Sequence, residues 1–436
     1  MHRSWSVESA LTIYGWLWRA ATPLLCRNNR LKEGLPQRLG KPFPEGPFDI
    51  WIQAASAGES YLATMILDHL GSHFPYSILV TTNTRQGKDI IEGHIDHRPD
   101  LSEGSRRTSA YFPFDQPSLM AAAVRAIRPG LMILLETEIW PGLMKALKTA
   151  GIPVIILNAR MRASSLRHYR LWPGIWKALA PDRILAVSEE DADRYACLYG
   201  TECVAVMPNM KFDRISADLA ATSANPISDL IPKGVPMVVL GSIRREEEDA
   251  VLQMIRYLLD HNHAYVIGLF PRHMHRVTSW KSRLEGAGIV CRLRSRTLSP
   301  AAPGSVLLWD VFGELAHAYA VASAAFVGGT LAPLGGQNFL EPLTCGIIPT
   351  IGPSWETFEW VGKDLFSKGL VRVADDWRNA AETLLEQTTS PPPRDAVKND
   401  LEDYLREHRG GTAMATGAIR AFLNRDRSDK LNALRL

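Results

Sequence analysis

The feature that most constrains this chain is an alternation that runs twice along it. Short apolar runs are separated by segments of helical length. In the first half the runs are Ile50–Ala54, Ser77–Thr82, Leu131–Leu135, Val154–Leu157 and Arg183–Val187. In the second they are Met237–Leu240, Tyr265–Phe270, Ile289–Leu293, Val306–Leu308, Ala324–Val327 and Ile348–Ile351. A run too short for a helix, then a polar or glycine-containing turn, then an amphipathic stretch such as Glu246–Leu259, is βαβ order. It implies a parallel sheet covered by helices on both faces, with ligands beyond the carboxyl ends of the strands. Between the halves, Arg214–Pro236 is dominated by Ala, Ser, Asn and Pro and reads as a linker. The expected fold is therefore α/β: two doubly wound, Rossmann-like domains facing across a cleft. They would occupy 43–213 and 237–436, with 214–236 joining them. The length of 436 residues is enough for two such cores, and no short fixed period points to a solenoid. A cleft lined by loops from two domains suits a two-substrate reaction.

With 46% hydrophobic and 22% charged residues the chain is neither disordered nor a polytopic membrane protein. Its five cysteines, at 26, 197, 203, 291 and 345, are odd in number and lack CxxC spacing. That argues against a disulfide framework or a cysteine zinc site and fits a reducing compartment. The net charge of +3 conceals an asymmetry. Residues 1–42 carry seven cations (Arg3, Arg19, Arg27, Arg30, Lys32, Arg38, Lys41) against Glu8 and Glu33, which leaves 42 cations and 44 anions for the rest. The basic character is local, so a general nucleic-acid surface is not expected.

That basic end holds the segment Ala10–Cys26, rich in Trp and Leu and followed by Arg27–Lys41. With Arg19 inside it and Pro23 near its end, it is too short and too polar to read as a full span, and it lacks a signal-peptide cleavage pattern. Two readings remain. The segment docks on an anionic leaflet, with Trp16 and Trp18 at headgroup depth and arginines at lipid phosphates, or it packs on the protein's own core.

Several strand-end loops carry residues suited to chemistry. In Ser56-Ala57-Gly58-Glu59 the glycine permits a tight strand-to-helix turn. Glu59 there can act as a general base, or merely complement the positive end of the helix Ser60–Leu70. Glu136 and Glu138 follow a wholly apolar strand. If the chain turns there, they diverge, one to a site and the other to cap the next helix or pair with Arg160. In the second half, Gly241-Ser242 precedes a helix start able to hold a phosphate, although Glu246, Glu247 and Glu248 oppose an anion. Arg272, after Pro271 at another strand end, is a natural clamp for phosphate or carboxylate, or a plain surface arginine. His273 alone does not establish proton transfer. Gly328-Gly329-Thr330 and Gly335-Gly336 bracket a loop whose amides can approach a ligand closely. Asn338 and Glu341, three apart on the following helix, share a face and can hold vicinal hydroxyls of a ribose. Neither G-x-G-x-x-G nor a Walker lysine motif occurs, and no metal-ligand spacing is present.

The order of these motifs resembles one family, the 3-deoxy-D-manno-octulosonic acid (Kdo) transferases of lipopolysaccharide biosynthesis. The carrying segments are QRLG (37–40), SAGE (56–59), TTNTRQG (81–87), YFPFDQP (111–117), ETEIWP (136–141), NAR (158–160), SEEDADRY (188–195), NMKFD (209–213), GSIRREEE (241–248), PRH (271–273), GEL (313–315), FVGGTLAPLGGQNFLEP (326–342) and IGP (351–353). The resemblance implies a glycosyltransferase-B fold, CMP-Kdo as donor, a lipid A precursor as acceptor, and action at the cytoplasmic face of the inner membrane with residues 1–42 membrane-associating. It also implies inverting transfer with no metal and no further cofactor. By position, Glu59 becomes the base, supported by Glu136 or Glu138. Donor contacts fall at Ser242, Pro271, Arg272, Phe312, Gly313, Glu314, Gly335, Gly336, Asn338 and Glu341. The chain departs from the usual family pattern at Gln53 and Gln337, where His is usual, at Val311, where Thr is usual, and in GPSWETFEW (352–360). The alternatives are a divergent enzyme of the same architecture that uses another nucleotide sugar, and a non-catalytic envelope paralogue.

Overall fold

The apolar runs fold as parallel strands. The computed structural model describes all residues except 1, 30, 72–75, 98–105, 216–224, 262–263, 298 and 434–436, with backbone alone for 2–6 and 425–433. Its chain divides into two units, residues 1–214 with 408–436 and residues 215–407.

The first unit holds β1 (Phe48–Ala54), β2 (Ile78–Thr82), β3 (Arg107–Tyr111), β4 (Pro129–Leu135), β5 (Val154–Ala159), β6 (Arg183–Ala186) and β7 (Val204–Val206), in the order β3-β2-β1-β4-β5-β6-β7. All pairings are parallel. Successive side chains of a strand enter different cores, as the two-residue period requires. Ile50 and Ile52 pack with Leu62 and Ile66 of the helix Ala57–Leu70. Trp51 packs on the other face, with Met120 and Val124 of the helix Pro117–Ile127. The second unit holds β8 (Met237–Ile243), β9 (Val266–Pro271), β10 (Cys291–Leu293), β11 (Val306–Leu308), β12 (Ala324–Val327), β13 (Pro349–Ile351) and β14 (Arg372–Val373), also all parallel, in the order β10-β11-β9-β8-β12-β13-β14. The sequence reading missed β3, β7 and β14. Each has a partly exposed burial pattern and lacks the continuous apolar run of an inner strand. In both units the strand order reverses at the first strand, between β1 and β4 and between β8 and β12, which opens a crevice at the carboxyl ends.

Two boundaries differ from expectation. Of the expected linker 214–236, residues 216–224 lie outside the described residues. Of the rest, Arg214 belongs to the first unit and residues 215 and 225–236 to the second, where Ile227 and Leu230 are buried and Asn225 Nδ2 donates to the His317 carbonyl at 2.8 Å. The helix Gly411–Ala433, expected in the second domain, instead covers the first sheet. Ala415, Ile419 and Leu423 join the core of Ile50, Ile66 and Leu67, and the Asp213 carboxylate accepts the amides of Gly410 and Thr412 at 2.7 and 2.6 Å. An apolar helix face does not reveal which sheet it covers, and this one returns to the first.

The N-terminal helix His2–Leu25 packs on the first unit against the helices Pro117–Ile127, Pro141–Thr149 and Pro173–Ala178. Leu11 is buried, Trp18 stacks on Phe114 with centroids 5.8 Å apart, and Tyr14 donates to Asp115 at 2.8 Å. Trp18 therefore faces the protein, contrary to its expected place at headgroup depth. Arg38, counted with the basic stretch, is also buried, lying 4.6 Å over the Tyr111 ring and donating to the Asn83 carbonyl. The opposite helix face leaves Ile13, Trp16, Leu17 and Leu24 more than half exposed. Among the described residues no helix is long and apolar enough to cross a membrane.

Ile419→Ala should destabilise the first unit by roughly 2–5 kcal/mol, because the cavity opens in a closed core. Hydrogen exchange should then quicken in Ala57–Leu70 and stay unchanged in β8. The reverse pattern would return this helix to the second unit.

Candidate functional site

In the first unit, three of the expected residues converge at the reversal point between β1 and β4. Ser56 caps the helix Ala57–Leu70 and Glu59 completes a capping box: Glu59 N–H donates to Ser56 Oγ at 3.3 Å and Ser56 N–H donates to Glu59 Oε2 at 2.7 Å. The helix begins earlier than the expected Ser60, so Glu59 lies within its first turn and is buried. Its carboxyl pKa is pushed up to about 8, chiefly by burial and then by the charges of Glu138 and Glu136, against the favourable bond from Ser56. Glu59 thus serves the local helix start and is also a perturbed acid among like charges.

Glu136 and Glu138 do diverge, because Glu136 adopts a left-handed backbone with φ 55°. Glu136 Oε1 pairs with Lys211 Nζ at 2.6 Å, with Asn158 Nδ2 at 3.4 Å. The pairing with Arg160 that spacing left open does not form at the carboxylate; Arg160 meets only the Glu136 carbonyl, through its amide. Glu138 turns the other way and accepts Trp140 Nε1 at 2.5 Å and the Gln53 side chain, while burial pushes its pKa up. It does not cap the next helix. Asp115 does so, accepting the amides of Gly142 and Leu143 at 2.8 and 2.7 Å. Gln53 is itself fixed, since Thr81 Oγ1 donates to its Oε1 at 2.6 Å and its Nε2 donates to Asn83 Oδ1 at 3.3 Å. Sequence reasoning missed Lys211, Asn158 and the role of Gln53: the last two reach the acids from other strand ends and Lys211 from the 3-10 turn Met210–Arg214.

In the second unit, the expected donor residues fall in three groups. Arg272 sits at the end of β9, its N–H on the Ile243 carbonyl at 2.8 Å. Its charge, with those of Arg244 and His275, helps desolvation hold the His273 pKa down, so this corner is electropositive. Arg272 also favours the ionised form of Glu341, whose carboxyl burial pushes up. Glu341 Oε1 accepts Asn338 Nδ2 at 2.9 Å, so the two do meet, but not on one helix face as expected: the helix is only Leu340–Thr344, and Asn338 precedes it, its Oδ1 accepting the Leu340 amide at 3.2 Å.

The second group is the turn Phe312-Gly313-Glu314. Phe312 is 80% exposed and Gly313 has φ 85°. Glu314 is braced by Arg294 at 2.8 and 2.9 Å and by Trp309 Nε1 at 2.8 Å, and Trp309 stacks on Phe270 with centroids 4.1 Å apart. The aromatic side chain is therefore presented on a rigid turn.

The third group overturns one reading of the glycines. The amides of Gly329, Thr330 and Leu331 do not await a ligand; they donate to the buried carboxylate of Glu247. The amides of Gly335 and Gly336 are also engaged, by Ser354 Oγ and the Gly329 carbonyl, both at 2.9 Å. The helix start after Ser242, which itself has φ 59°, is likewise filled by Glu247 at the Arg244 amide, while Glu248 pairs with Arg276. One donor of that helix start, the Arg244 amide, is thus taken by the protein's own carboxylate. Nothing in the run Glu246–Glu248 marked the middle residue as the one that turns inward.

Among the described residues no group of three or more His, Cys, Asp or Glu side chains is arranged to hold a metal ion.

Residues 33–214 match the family model described as 3-Deoxy-D-manno-octulosonic-acid transferase (kdotransferase). The chain is 29% identical over 422 residues to the 3-deoxy-D-manno-octulosonic acid transferase of Bordetella pertussis, covering 94% of this chain and 96% of that one. It is 29% identical over 423 residues to the Haemophilus influenzae protein of the same name, covering 92% and 94%. Among solved structures, a putative UDP-N-acetylglucosamine 2-epimerase from Listeria monocytogenes superposes with a TM-score of 0.54 at 10% identity, covering 88% of this chain and 98% of that one. That likeness speaks to fold alone, and the two parallel-sheet domains are those of the glycosyltransferase-B architecture. The matched domain holds the carboxylate cluster and the kinship in sequence runs on through both units: the chain is a glycosyltransferase, similar along most of its length to 3-deoxy-D-manno-octulosonic acid transferases.

Proposed function

We propose that this chain moves Kdo from CMP-Kdo to a lipid A precursor in lipopolysaccharide biosynthesis, inverting the anomeric centre, with Glu59 as general base. The substrate class rests on the relatives' names. The mechanism rests on one observation, the buried Glu59 carboxyl whose pKa is raised to about 8 by burial and by neighbouring acids. A carboxylate with so weak a conjugate acid takes a proton from an alcohol more readily than an ordinary one. The acceptor hydroxyl gives its proton to Glu59 as its oxygen bonds to the anomeric carbon of Kdo. The bond from that carbon to CMP breaks, and the pair of electrons leaves with the phosphate. Arg272 and the amides of Gly313 and Glu314 meet the charge that develops there, a role that calls for no metal or further cofactor. Asn338 and Glu341 hold the ribose.

A lipid acceptor requires the enzyme to work at a bilayer, here the cytoplasmic face of the inner membrane. The outward stripe of Ile13, Trp16, Leu17 and Leu24, with Arg19 and Arg27 exposed beside it, supports docking on an anionic leaflet.

Incubation of the purified protein with CMP-Kdo and a tetra-acylated lipid A precursor, read by product mass, tests the reaction and counts the sugars added. Glu59→Gln should abolish transfer and leave CMP binding intact. Turnover by the parent should rise with pH through about 8, because the base acts ionised; full turnover in the variant, or a flat profile, removes Glu59 from the mechanism. The same raised pKa penalises ionisation in the folded state. The contribution Glu59 makes to stability is complete below its ordinary value of 4.5 and is lost as pH climbs to about 8. Glu59→Gln should therefore melt higher than the parent above that pH and alike in acid. If UDP rather than CMP raises the melting temperature of the parent, the donor is a different nucleotide sugar.

Replacing Trp16 and Leu17 together by Ser should cut sedimentation with phosphatidylglycerol vesicles by about tenfold, since each loses apolar contact with lipid. The melting temperature should not change, as both side chains are more than 60% exposed. Undiminished sedimentation would dismiss this face as the docking surface.

A further inference from the structure

The turn after β12, Gly328-Gly329-Thr330-Leu331, directs a row of N–H groups to the point where the strand order of the second unit reverses. Such nests in parallel α/β sheets commonly receive a phosphate. Here a side chain of the protein already fills the nest. Glu247, 2% exposed, accepts Gly329 N–H at 2.6 Å and Arg244 N–H at 2.8 Å through Oε1, and Thr330 and Leu331 N–H at 3.3 Å each through Oε2. A Cβ on Gly328 would lie 2.5 Å from Glu247 Oε1, so glycine is required for this side chain to enter.

The order imposed on this turn propagates. The Gly329 carbonyl accepts Gly336 N–H at 2.9 Å, and Thr330 Oγ1 accepts Gly352 N–H at 2.8 Å. The Thr330 carbonyl accepts Ser354 N–H at 3.0 Å, and Ser354 Oγ accepts Gly335 N–H at 2.9 Å. Glu247 is thereby connected through backbone bonds to the segment that carries Asn338 and Glu341.

The first unit has a counterpart. Glu59 and Glu247 each stand three residues after the cap that follows the first strand of their unit, and each accepts that cap's amide, at 2.7 and 2.8 Å. Glu59 has other carboxylates for neighbours. Glu247 has four amide donors, and all four contacts demand an acceptor.

We propose that Glu247 is a built-in anion: it occupies the phosphate seat of the second unit's sheet, excludes the donor phosphate from it, and acts as the positioning residue that holds residues 328–341 in their binding shape. The consequence for the donor rests on the reading above; the occupancy of the seat does not.

The test uses full-length Glu247→Ala and Glu247→Gln with formate as a small carboxylate. In Glu247→Ala, hydrogen exchange in 328–341 should quicken, and the Kd for CMP should rise by about tenfold or more, because four donors lose their acceptor. Formate at about 50 mM should raise its melting temperature, slow that exchange and recover CMP affinity, by binding the vacated seat in the folded state. The parent and Glu247→Gln, whose seat is filled, should not respond to formate, and Glu247→Gln should show faster exchange because its amide N–H groups oppose backbone donors. A folded Glu247→Ala that keeps parental exchange and CMP affinity, or whose losses formate leaves untouched, overturns the proposal. If Glu247→Ala does not fold even in formate, Glu247→Gln decides: parental exchange in 328–341 overturns it, faster exchange sustains it. If the parent transfers no Kdo, the proposed reaction falls while melting and exchange still judge Glu247.

Discussion

A parallel sheet covered on both faces has apolar strands throughout its middle and can place polar groups only where its strands end. That constraint governs both units. Ile133, Leu134 and Leu135 are fully buried, and the first residue after them able to carry charge is Glu136. Val239 and Leu240 are fully buried as well, Ser242 stands at the carboxyl end of β8, and the turn beyond it brings in Glu247. Reversal of strand order at β1 and at β8 spreads adjacent loops apart and creates the space these side chains enter.

Within that space, the neighbours of a carboxyl group decide its chemistry. Glu59 and Glu247 occupy equivalent places after the first strand and are almost equally buried. Burial pushes both pKa values up. Around Glu59 the next contributor is the charge of Glu138, which raises it further, with Glu136 adding to it against the single Ser56 amide; around Glu247 the next contributors are all backbone amides, which pull it down. The first environment suits a group that takes up a proton, the second a group that stays put. Lys211, by compensating Glu136, keeps the first cluster from carrying three uncompensated charges.

Much of this was legible from residues alone. All eleven apolar runs became strands, because inner parallel strands need uninterrupted apolar sequence. Glu59, Glu136 and Glu138 were found because charge directly after such a run is conspicuous. Asn338 and Glu341 were paired on a helical spacing of three; they do meet, but through a side-chain bond across the start of the helix Leu340–Thr344, with Asn338 outside it. The misses share a cause. Edge strands such as Arg107–Tyr111 are only partly covered and look like loops. Lys211 lies on a short 3-10 turn far along the chain from Glu136, and nothing local announces the pair. The glycines of 328–329 were read correctly as close-approach positions, but their partner is a side chain of the protein and not a ligand.

Sequence by itself determined two βαβ domains, their strands and the loops where acids and arginines gather, because periodicity and glycine placement are local properties of the chain. Tertiary structure alone decided which sheet the last helix covers, which face of the first helix stays exposed, which acid of Glu246–Glu248 turns inward, and that Glu136 meets Lys211 and not Arg160. Those outcomes depend on which distant groups share a buried volume, and desolvation, which sets both the pairing and the proton affinity of a carboxylate, exists only once that volume has closed.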